Sequence, residues 1–246
     1  VAMANMKLYV NREEGFVGTG LRKAEYLGDC ADIDDLVVIL ADGTMMVTKV
    51  DEKKYMGQHI LHVAVFHKGD ERTVYNLIYR DGARGKSFIK RFTIKSITRD
   101  KAYPLTQGSK LSKIHHLSIN PNGEAELVTV SLRSGSARRK LKFEVDFADI
   151  PIRGRSTRGK TLTKFAVKRI KVKSEGVSTL AARRIYFDES VMKLNDQERG
   201  RALGDFQGED RLIQVEQSGR FRVIFPEFST HFDALPYQLN KFSTSA

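Results

Sequence analysis

One segment of the sequence has the form of a phosphate-binding loop. Residues 154–161 read Gly-Arg-Ser-Thr-Arg-Gly-Lys-Thr, with two glycines separated by four residues and then a lysine and a hydroxyl side chain. Further along, residues 185–189 form an apolar run that ends in acidic residues, the pattern that holds magnesium in nucleotide hydrolases. A loop of this kind works between a strand and a helix, because the helix N-terminus supplies N–H groups and positive potential to the phosphates. Together the two segments raise the hypothesis of a nucleotide hydrolase.

The residues that flank the loop argue against that hypothesis. Residues 162–172 alternate apolar and basic side chains and include several β-branched residues, which predicts a strand where the site needs a helix. Pro151, just before the loop, also fits poorly in a central parallel strand. The sequence therefore favours a basic loop between strands, with the nucleotide hydrolase kept as an alternative.

The histidines and acidic pairs do not indicate a metal or catalytic site. His62 lies in a predicted strand over residues 60–66, and the adjacent His115 and His116 would point to opposite faces of another. No cysteine pair supports them, since Cys30 is the one cysteine. We therefore predict no catalytic residue, no metal and no cofactor in this chain.

Composition indicates an ordinary folded domain of the reducing cytoplasm. Of the 246 residues, 41% are hydrophobic and 29% charged, which is typical of globular proteins. A lone cysteine is typical of a reducing compartment, so Cys30 is interpreted as a packed thiol. No window is long and apolar enough to suggest a membrane helix, and the first residues lack the pattern of a signal peptide.

The excess positive charge lies in one block. Residues 80–175 contain 24 Lys and Arg against eight Asp and Glu, whereas the other 150 residues carry a net charge of −4. A charge excess confined to one block predicts a directed electrostatic surface for a polyanion, and nucleic acid is the commonest such partner.

Fourteen cations of this block are predicted to contact DNA. Small residues lie among them, which lets a phosphate backbone approach closely. No ladder of aromatic residues is interleaved for base stacking, so double-stranded DNA is favoured over a single strand. A basic surface that is merely solvated, or that meets an acidic protein partner, is the alternative. The predicted contacts are Arg84, Lys86, Lys90, Arg91, Arg133, Arg138, Arg139, Lys140, Arg153, Arg155, Arg158, Lys160, Lys164 and Lys168.

The chain around this block reads as a series of β-hairpins. Each hairpin joins two runs of β-branched and aromatic residues through a polar turn, often Asp-Gly or Ser-Gly. The first strands are mostly apolar and the returning strands carry Lys or Arg, which predicts a buried inner strand and a half-exposed outer strand. The paired runs are 8–10 with 16–17, 36–40 with 44–50, 74–79 with 88–94, 127–132 with 141–145, 184–187 with 191–194, and 212–215 with 220–225.

These repeats predict an all-β, propeller-like closed array in a single domain over residues 1–246. The ordered core is expected at about 7–232, with a loose tail at 233–246. Only residues 189–203 could form a short helix. A Greek-key sandwich or two small barrels remain the alternatives.

Several of these stretches resemble a known family. They include residues 9–20 (Tyr-Val-Asn-Arg-Glu-Glu-Gly-Phe-Val-Gly-Thr-Gly), 73–82, 97–101, 120–126 and 152–161. Together they are similar to the C-terminal domain of the A subunit of bacterial type IIA topoisomerases, DNA gyrase and topoisomerase IV. The resemblance runs from about residue 7 to 232.

The resemblance implies a β-pinwheel of five or six blades, in which neighbouring blades exchange strands and duplex DNA bends around a basic edge. It also implies a cytoplasmic, nucleoid-associated parent enzyme that uses ATP and magnesium for strand passage. The implied partners are duplex DNA, the ATPase B subunit of that enzyme, and the remainder of its A subunit, with no membrane. The domain itself is expected to be non-catalytic.

One departure from the family limits what the resemblance implies. Gyrases carry a Gln-Arg-Arg-Gly-Gly-Lys-Gly box, and residues 153–160 are only its positional analogue here. A topoisomerase IV-like role, which recruits a DNA segment without strong chiral wrapping, is therefore favoured.

Overall fold

The computed structural model describes residues 5–95, 97–133, 141–208, 210–228 and 230–242. Its regular elements are short strands and one 3-10 helix, Phe147–Asp149. The strands are β1 Met6–Asn11, β2 Phe16–Gly18, β3 Glu25–Cys30, β4 Asp35–Leu40, β5 Thr44–Lys49, β6 Lys54–Tyr55, β7 Ile60–Phe66, β8 Val74–Arg80, β9 Ser87–Thr93, β10 Tyr103–Pro104, β11 Lys113–Asn120, β12 Leu127–Leu132, β13 Lys142–Asp146, β14 Ile152–Gly154, β15 Lys160–Thr163, β16 Val167–Ser174, β17 Arg183–Asp188, β18 Lys193–Asn195, β19 Arg201–Phe206, β20 Arg211–Val215, β21 Phe221–Ile224 and β22 Gln238–Phe242. The predicted all-β class is confirmed.

These strands form six small open sheets within the described residues. Their spatial orders are β3-β1-β2-β6 (sheet I), β10-β5-β4-β7 (sheet II), β11-β8-β9-β14 with β15 also on β9 (sheet III), β13-β12-β16 (sheet IV), β18-β17-β19 (sheet V) and β21-β20-β22 (sheet VI). None of these sheets closes into a barrel, so the two-barrel alternative does not describe this part of the chain. Sheets I to IV belong to one compact unit, residues 1–121 with 126–174, and sheets V and VI to a second, residues 122–125 with 175–246.

All six predicted hairpins are confirmed. They are β1–β2, β4–β5, β8–β9, β12–β13, β17–β18 and β20–β21, each with antiparallel register. The turn predicted at 134–136 lies outside the described residues. Apolar faces of successive sheets pack together inside a unit. One cluster joins sheets II and III through side chains such as Val37, Met45, Leu77 and Phe92, and Phe232 packs into the cluster of sheets V and VI.

Successive sheets within each unit exchange strands, as a β-pinwheel requires. In chain order β6 lies between two strands of sheet II, yet it pairs with β2 of sheet I. In the same way β10 pairs with β5 of sheet II, and both β14 and β15 pair with β9 of sheet III. In the second unit, an isolated bridge joins His231 to Lys193 of sheet V. Sheets I, II, III and V therefore depend on a later segment of the chain to cover an outer edge.

This exchange explains why one expectation for sheet III is wrong. The hairpin pattern predicts that the returning strand β9 keeps one face in water, but all seven of its residues are buried. Two additional strands, β14 and β15, cover the edge of β9 that would otherwise face solvent. The charged residues of β9 are consequently part of the interior.

Three further expectations need correction. Residues 189–203 contain β18 and part of β19 and form no helix, and the single strand predicted over 162–172 is two strands, β15 and β16, which pair with different sheets. The tail expected at 233–246 contributes β22, which pairs with β20 along its whole length, whereas residues 243–246 lie outside the described part.

The single-domain boundaries stay a prediction. In the described residues, no helix is long and apolar enough to cross a membrane.

Candidate nucleic-acid interface

The basic loop at residues 153–160, hereafter the arginine loop, is anchored on both sides of one buried residue. Its first arm, β14, runs parallel to the end of β9 and pairs Ile152 with Arg91. Its second arm, β15, runs antiparallel to the start of β9 and pairs Lys160 with Ile89. Lys90 lies between the two arms, so the loop arches over this residue.

The side chain of Lys90 holds the loop from beneath. Its Nζ donates hydrogen bonds to the main-chain oxygens of Arg155 (2.7 Å) and Thr157 (2.8 Å). The amine also lies 5.0 Å from the centre of the Phe92 ring and 5.7 Å from that of Tyr79, where a cation is attracted to the aromatic face. Lys90 is only 1% exposed, and burial lowers its pKa to about 7.

Tyr79 and Gly159 complete the anchoring. The Tyr79 hydroxyl donates to the main-chain oxygen of Arg158 at 2.7 Å, and burial raises the pKa of Tyr79 to about 12. Gly159 adopts a left-handed φ of 85°, and a Cβ there would lie 2.3 Å from the main-chain oxygen of Ile89. Three carbonyl oxygens of the loop thus face the protein, while the side chains of Arg153 and Arg158 are exposed on its outer surface.

The strand pairing of sheet III brings three basic segments to one end of that sheet. They are the start of β11, the β8–β9 turn and the segment after β15. Lys113 pairs with Arg80, Arg80 with Ser87, and Ser87 with Thr163. Neighbouring strands lie about 4.8 Å apart, so this row of four strands is about 14 Å wide. The β8–β9 turn at 81–86 and the segment after β15 therefore lie side by side, although they are distant in the sequence.

Eight of the predicted contact residues are exposed on the described surface, and we call them the basic face. Arg133 lies beside the start of β16, because its main-chain N–H donates a hydrogen bond to the main-chain oxygen of Ala166. The basic face consists of Arg84, Lys86, Arg133, Arg153, Arg158, Lys160, Lys164 and Lys168.

The remaining six predicted residues differ. Arg138, Arg139 and Lys140 lie outside the described residues. Arg155 is half-buried, and its guanidinium carbon lies 4.1 Å from the ring centre of Tyr103. For Lys90 and Arg91 the prediction of a surface position is wrong, because each is 1% exposed.

Arg91 belongs to a buried polar network. Its Nε donates to Asn76 Oδ1 (2.9 Å), and Asn76 Nδ2 donates to Glu126 Oε2 (2.6 Å). The other carboxylate oxygen of Glu126 contacts His116 Nε2 (2.7 Å) and accepts from Ser118 Oγ (2.5 Å). Burial raises the pKa of Glu126, but these hydrogen bonds outweigh burial and hold it below its usual value. The network stabilises sheet III and offers nothing to a ligand.

Among the residues that the structure describes, the charge of the basic face is not neutralised by ion pairs. Some cations elsewhere in the chain do form ion pairs, such as Arg12–Glu25, Lys54–Asp100 and Arg184–Asp205. Within the described residues, no ion pair involves a member of the basic face. Its charge is therefore available to an external anion.

The geometry does not fit a nucleotide hydrolase. The arginine loop leads into strand β15, and the one helix of the described residues, Phe147–Asp149, precedes the loop. The helix N-terminus that would hold a phosphate is thus missing from this position. Gly154 has open space around it, so the first glycine of the pattern serves no close approach within the protein.

Two of the six histidines, His62 and His115, are held neutral by burial. Burial lowers the pKa of both His62 and His115 to about 4. No group of three potential metal ligands occurs in the part of the chain that the structure describes. Cys30 is buried, as predicted, and burial raises its pKa.

Sequence reasoning missed two exposed cations, Lys110 and Lys113, next to the Arg80 end of sheet III. They lie inside the basic block, so charge alone could have included them. The role of Lys90 had no signal in the sequence, because it depends on two strands that come more than 60 residues later.

Comparison with known proteins identifies the family. A sequence model described as "Topoisomerase C-terminal domain, Bacteroidota" matches residues 7–175 and 193–246. The chain belongs to this family. It corresponds to a non-catalytic domain of a topoisomerase, as the resemblance implied.

Two further proteins are similar to this topoisomerase C-terminal domain. The A subunit of DNA topoisomerase 4 from Borreliella burgdorferi is 25% identical over 174 residues, which cover 70% of this chain and 26% of that protein. The domain thus spans about a quarter of the length of this curated relative. A crystal structure of the C-terminal domain of DNA topoisomerase IV aligns with a TM-score of 0.48 and 10% identity, covering 96% of this chain and 92% of that one.

Proposed function

We propose that this domain binds duplex DNA without sequence preference along the basic face, and bends the DNA there. In this proposal it presents a DNA segment for strand passage to the ATPase B subunit of a topoisomerase, together with the remainder of the A subunit. ATP and magnesium act in those other parts, and the enzyme works on the cytoplasmic nucleoid. The observation that carries the proposal is the set of exposed cations, without carboxylate partners in the described residues, around an anchored arginine loop.

The dimensions of sheet III support contact with a duplex. DNA carries about one negative charge per 1.7 Å of helix axis when both strands are counted, so about 14 Å of duplex carries roughly eight phosphates, and those on the near side face such a surface. The basic face offers cations from the β8–β9 turn, the arginine loop and the start of β16 to such an array. Contacts of this kind fix the position of the duplex and carry no base-specific information.

Salt dependence tests the electrostatic part of the proposal. Contact with about six phosphates gives a slope of log affinity against log salt near −5. Changing Arg153, Arg158 and Lys160 together to glutamate is expected to reduce the steepness by about 3 and to weaken binding at least tenfold. The measurement is fluorescence anisotropy with a labelled linear duplex at several salt concentrations.

A matched control separates this surface from net charge. Arg22, Lys49 and Lys68 are exposed cations outside the block, and their change to glutamate alters net charge by the same amount. The control variant should keep most of the affinity and slope. An equal loss of affinity in both triple variants would show that DNA binding depends only on net charge. Absence of DNA binding by the wild-type chain would indicate that the basic face binds a protein partner instead.

Ligation of a DNA minicircle on the domain tests bending against wrapping. A topoisomerase IV-like domain that recruits and bends DNA leaves the linking number nearly unchanged. A consistent shift in linking number would instead indicate chiral wrapping despite the missing glycine-rich box.

A further inference from the structure

Leu111 is the most exposed large apolar side chain of the described residues, at 74%. It also adopts a left-handed backbone conformation with φ of 63°, a region that favours glycine and asparagine over leucine. Isolated apolar residues on a surface are common. A leucine that is both strained and fully presented to solvent is less so, and strained residues concentrate at functional positions.

A set of hydrogen bonds fixes the main chain around Leu111. The Asp81 carboxylate accepts from the hydroxyls of Ser109 (2.6 Å) and Ser112 (3.1 Å), which lie on either side of Leu111. Arg80 Nη2 donates to the main-chain oxygen of Leu111 itself at 3.0 Å. The backbone is therefore held while the isobutyl group projects away from the protein.

The surroundings of Leu111 are positively charged. Lys110 and Lys113 flank it and are exposed. Because Lys113 pairs with Arg80 at the end of β8, Leu111 lies at the end of sheet III that also carries Arg84 and Lys86 of the basic face. Leu111 is thus an apolar protrusion at an end of sheet III that carries several exposed cations.

We propose that Leu111 is a wedge that inserts between two base pairs of bound DNA from the minor groove and kinks the duplex. This inference rests on the DNA binding proposed above. Architectural proteins insert an apolar side chain at a base step and bend DNA by about 20–90°, while neighbouring cations hold the phosphates. A fixed leucine between lysines has both parts, and flexible pyrimidine–purine steps are its preferred targets.

The test uses the full 246-residue chain and a duplex of about 30 base pairs with a central TpA step. The adenine of that step is replaced by 2-aminopurine, whose fluorescence rises on unstacking, and dyes at the two ends report bending by energy transfer. The variant is Leu111→Asn, because asparagine tolerates the left-handed conformation and keeps the loop folded. The control is Ile33→Asn, which removes a 66% exposed aliphatic side chain from a turn between Asp32 and Asp34.

We expect the wild-type chain and the Ile33 variant to raise 2-aminopurine fluorescence and shorten the distance between the ends. The Leu111 variant should lose most of both signals, yet keep the salt slope and bind the intact duplex within about threefold of wild type, because the lost unstacking cost offsets the lost contact. The wild-type chain should bind a duplex with a mismatch at the step about tenfold more tightly than the intact duplex, since the mismatch is already easier to unstack. The Leu111 variant should show little such preference.

Two results would overturn the wedge and leave DNA binding intact. One is a Leu111 variant that bends and unstacks DNA as wild type does, and the other is salt-sensitive wild-type binding without any rise in fluorescence. Absence of wild-type binding to any duplex would refute the proposed function and the wedge together.

Discussion

Replacement of Lys90 by methionine tests how a buried amine supports the arginine loop. The lysine donates two hydrogen bonds to loop carbonyls, at 2.7 and 2.8 Å, and hydrogen bonds from charged donors contribute about 1.5–3 kcal/mol each. Burial acts against them, because it lowers the pKa of Lys90 from 10.5 to about 7, a change that corresponds to about 5 kcal/mol. Methionine removes both the hydrogen bonds and the burial of an ionisable amine. The difference in unfolding free energy between the two proteins should therefore depend mainly on pH.

The sign of that pH dependence follows from the lowered pKa. Between about pH 7 and 10.5 the unfolded chain binds a proton at Lys90 that the native chain lacks. The free energy of unfolding of the wild type therefore rises with pH in this window, by up to about 1.4 kcal/mol per pH unit. The contribution is complete above the unfolded pKa and falls away as the pH drops through about 7, and Lys90→Met lacks it throughout.

Urea unfolding of both proteins between about pH 6 and 9.5 measures the difference. The difference in unfolding free energy between wild type and Lys90→Met should increase with pH, whereas Lys86→Met, at an exposed neighbouring lysine, should track the wild type. The released loop should also be cut faster by trypsin in the Lys90 variant. A difference that stays constant across the pH range would refute the view that Lys90 is a buried, titrating anchor.

Three other changes probe the same structure. Gly159→Ala should destabilise the chain by at least about 2 kcal/mol, because the backbone is left-handed there and the added Cβ would meet the main-chain oxygen of Ile89. Gly154→Ala should cost less than about 0.5 kcal/mol, because the space around Gly154 is open. Thermal or urea unfolding measures both variants, and equal effects would contradict the assigned geometry. Glu126→Gln should cost about 2–3 kcal/mol in urea unfolding, because an amide group meets donors where a carboxylate accepted them, and unchanged stability would show that the buried network is dispensable. Burial lowers the pKa of both His62 and His115 to about 4, so stability should fall as the pH drops from about 6.5 to 4, because only the unfolded chain gains those protons. Replacing both histidines with leucine should flatten the dependence of the unfolding free energy on pH over that range. An unchanged slope would contradict their burial.

The hairpins could be predicted from the sequence because their information is local. Runs such as 36–40 and 44–50 alternate around an Asp-Gly turn, and turn chemistry with period-two patterning is enough to place both strands. Strand exchange could not be predicted in this way. Nothing near β9 indicates that residues 152–163 will cover its edge, so Lys90 and Arg91 look like half-exposed cations when they are read in the sequence.

In the candidate interface, too, local features could be predicted from the sequence, whereas contacts between distant segments could not. The exposed members of the basic face follow from charge and turn positions alone, and the strand after the arginine loop follows from its alternation. The side-by-side placement of Lys86, Lys113 and Lys164 requires the register of four strands from distant segments. The conformation of Leu111 likewise depends on Asp81, far earlier in the chain, whose carboxylate fixes both neighbouring serines.

The most direct test of the DNA-binding surface is lysine acetylation by a small reagent, with and without a saturating linear duplex, quantified for each residue by mass spectrometry. We predict that Lys86, Lys160, Lys164 and Lys168 lose most of their reactivity when DNA is bound. Lys23, Lys49 and Lys68, which are exposed but lie outside the basic face, should react equally in both samples. Protection of the second group with continued reactivity of the first would place DNA elsewhere and contradict the proposed interface.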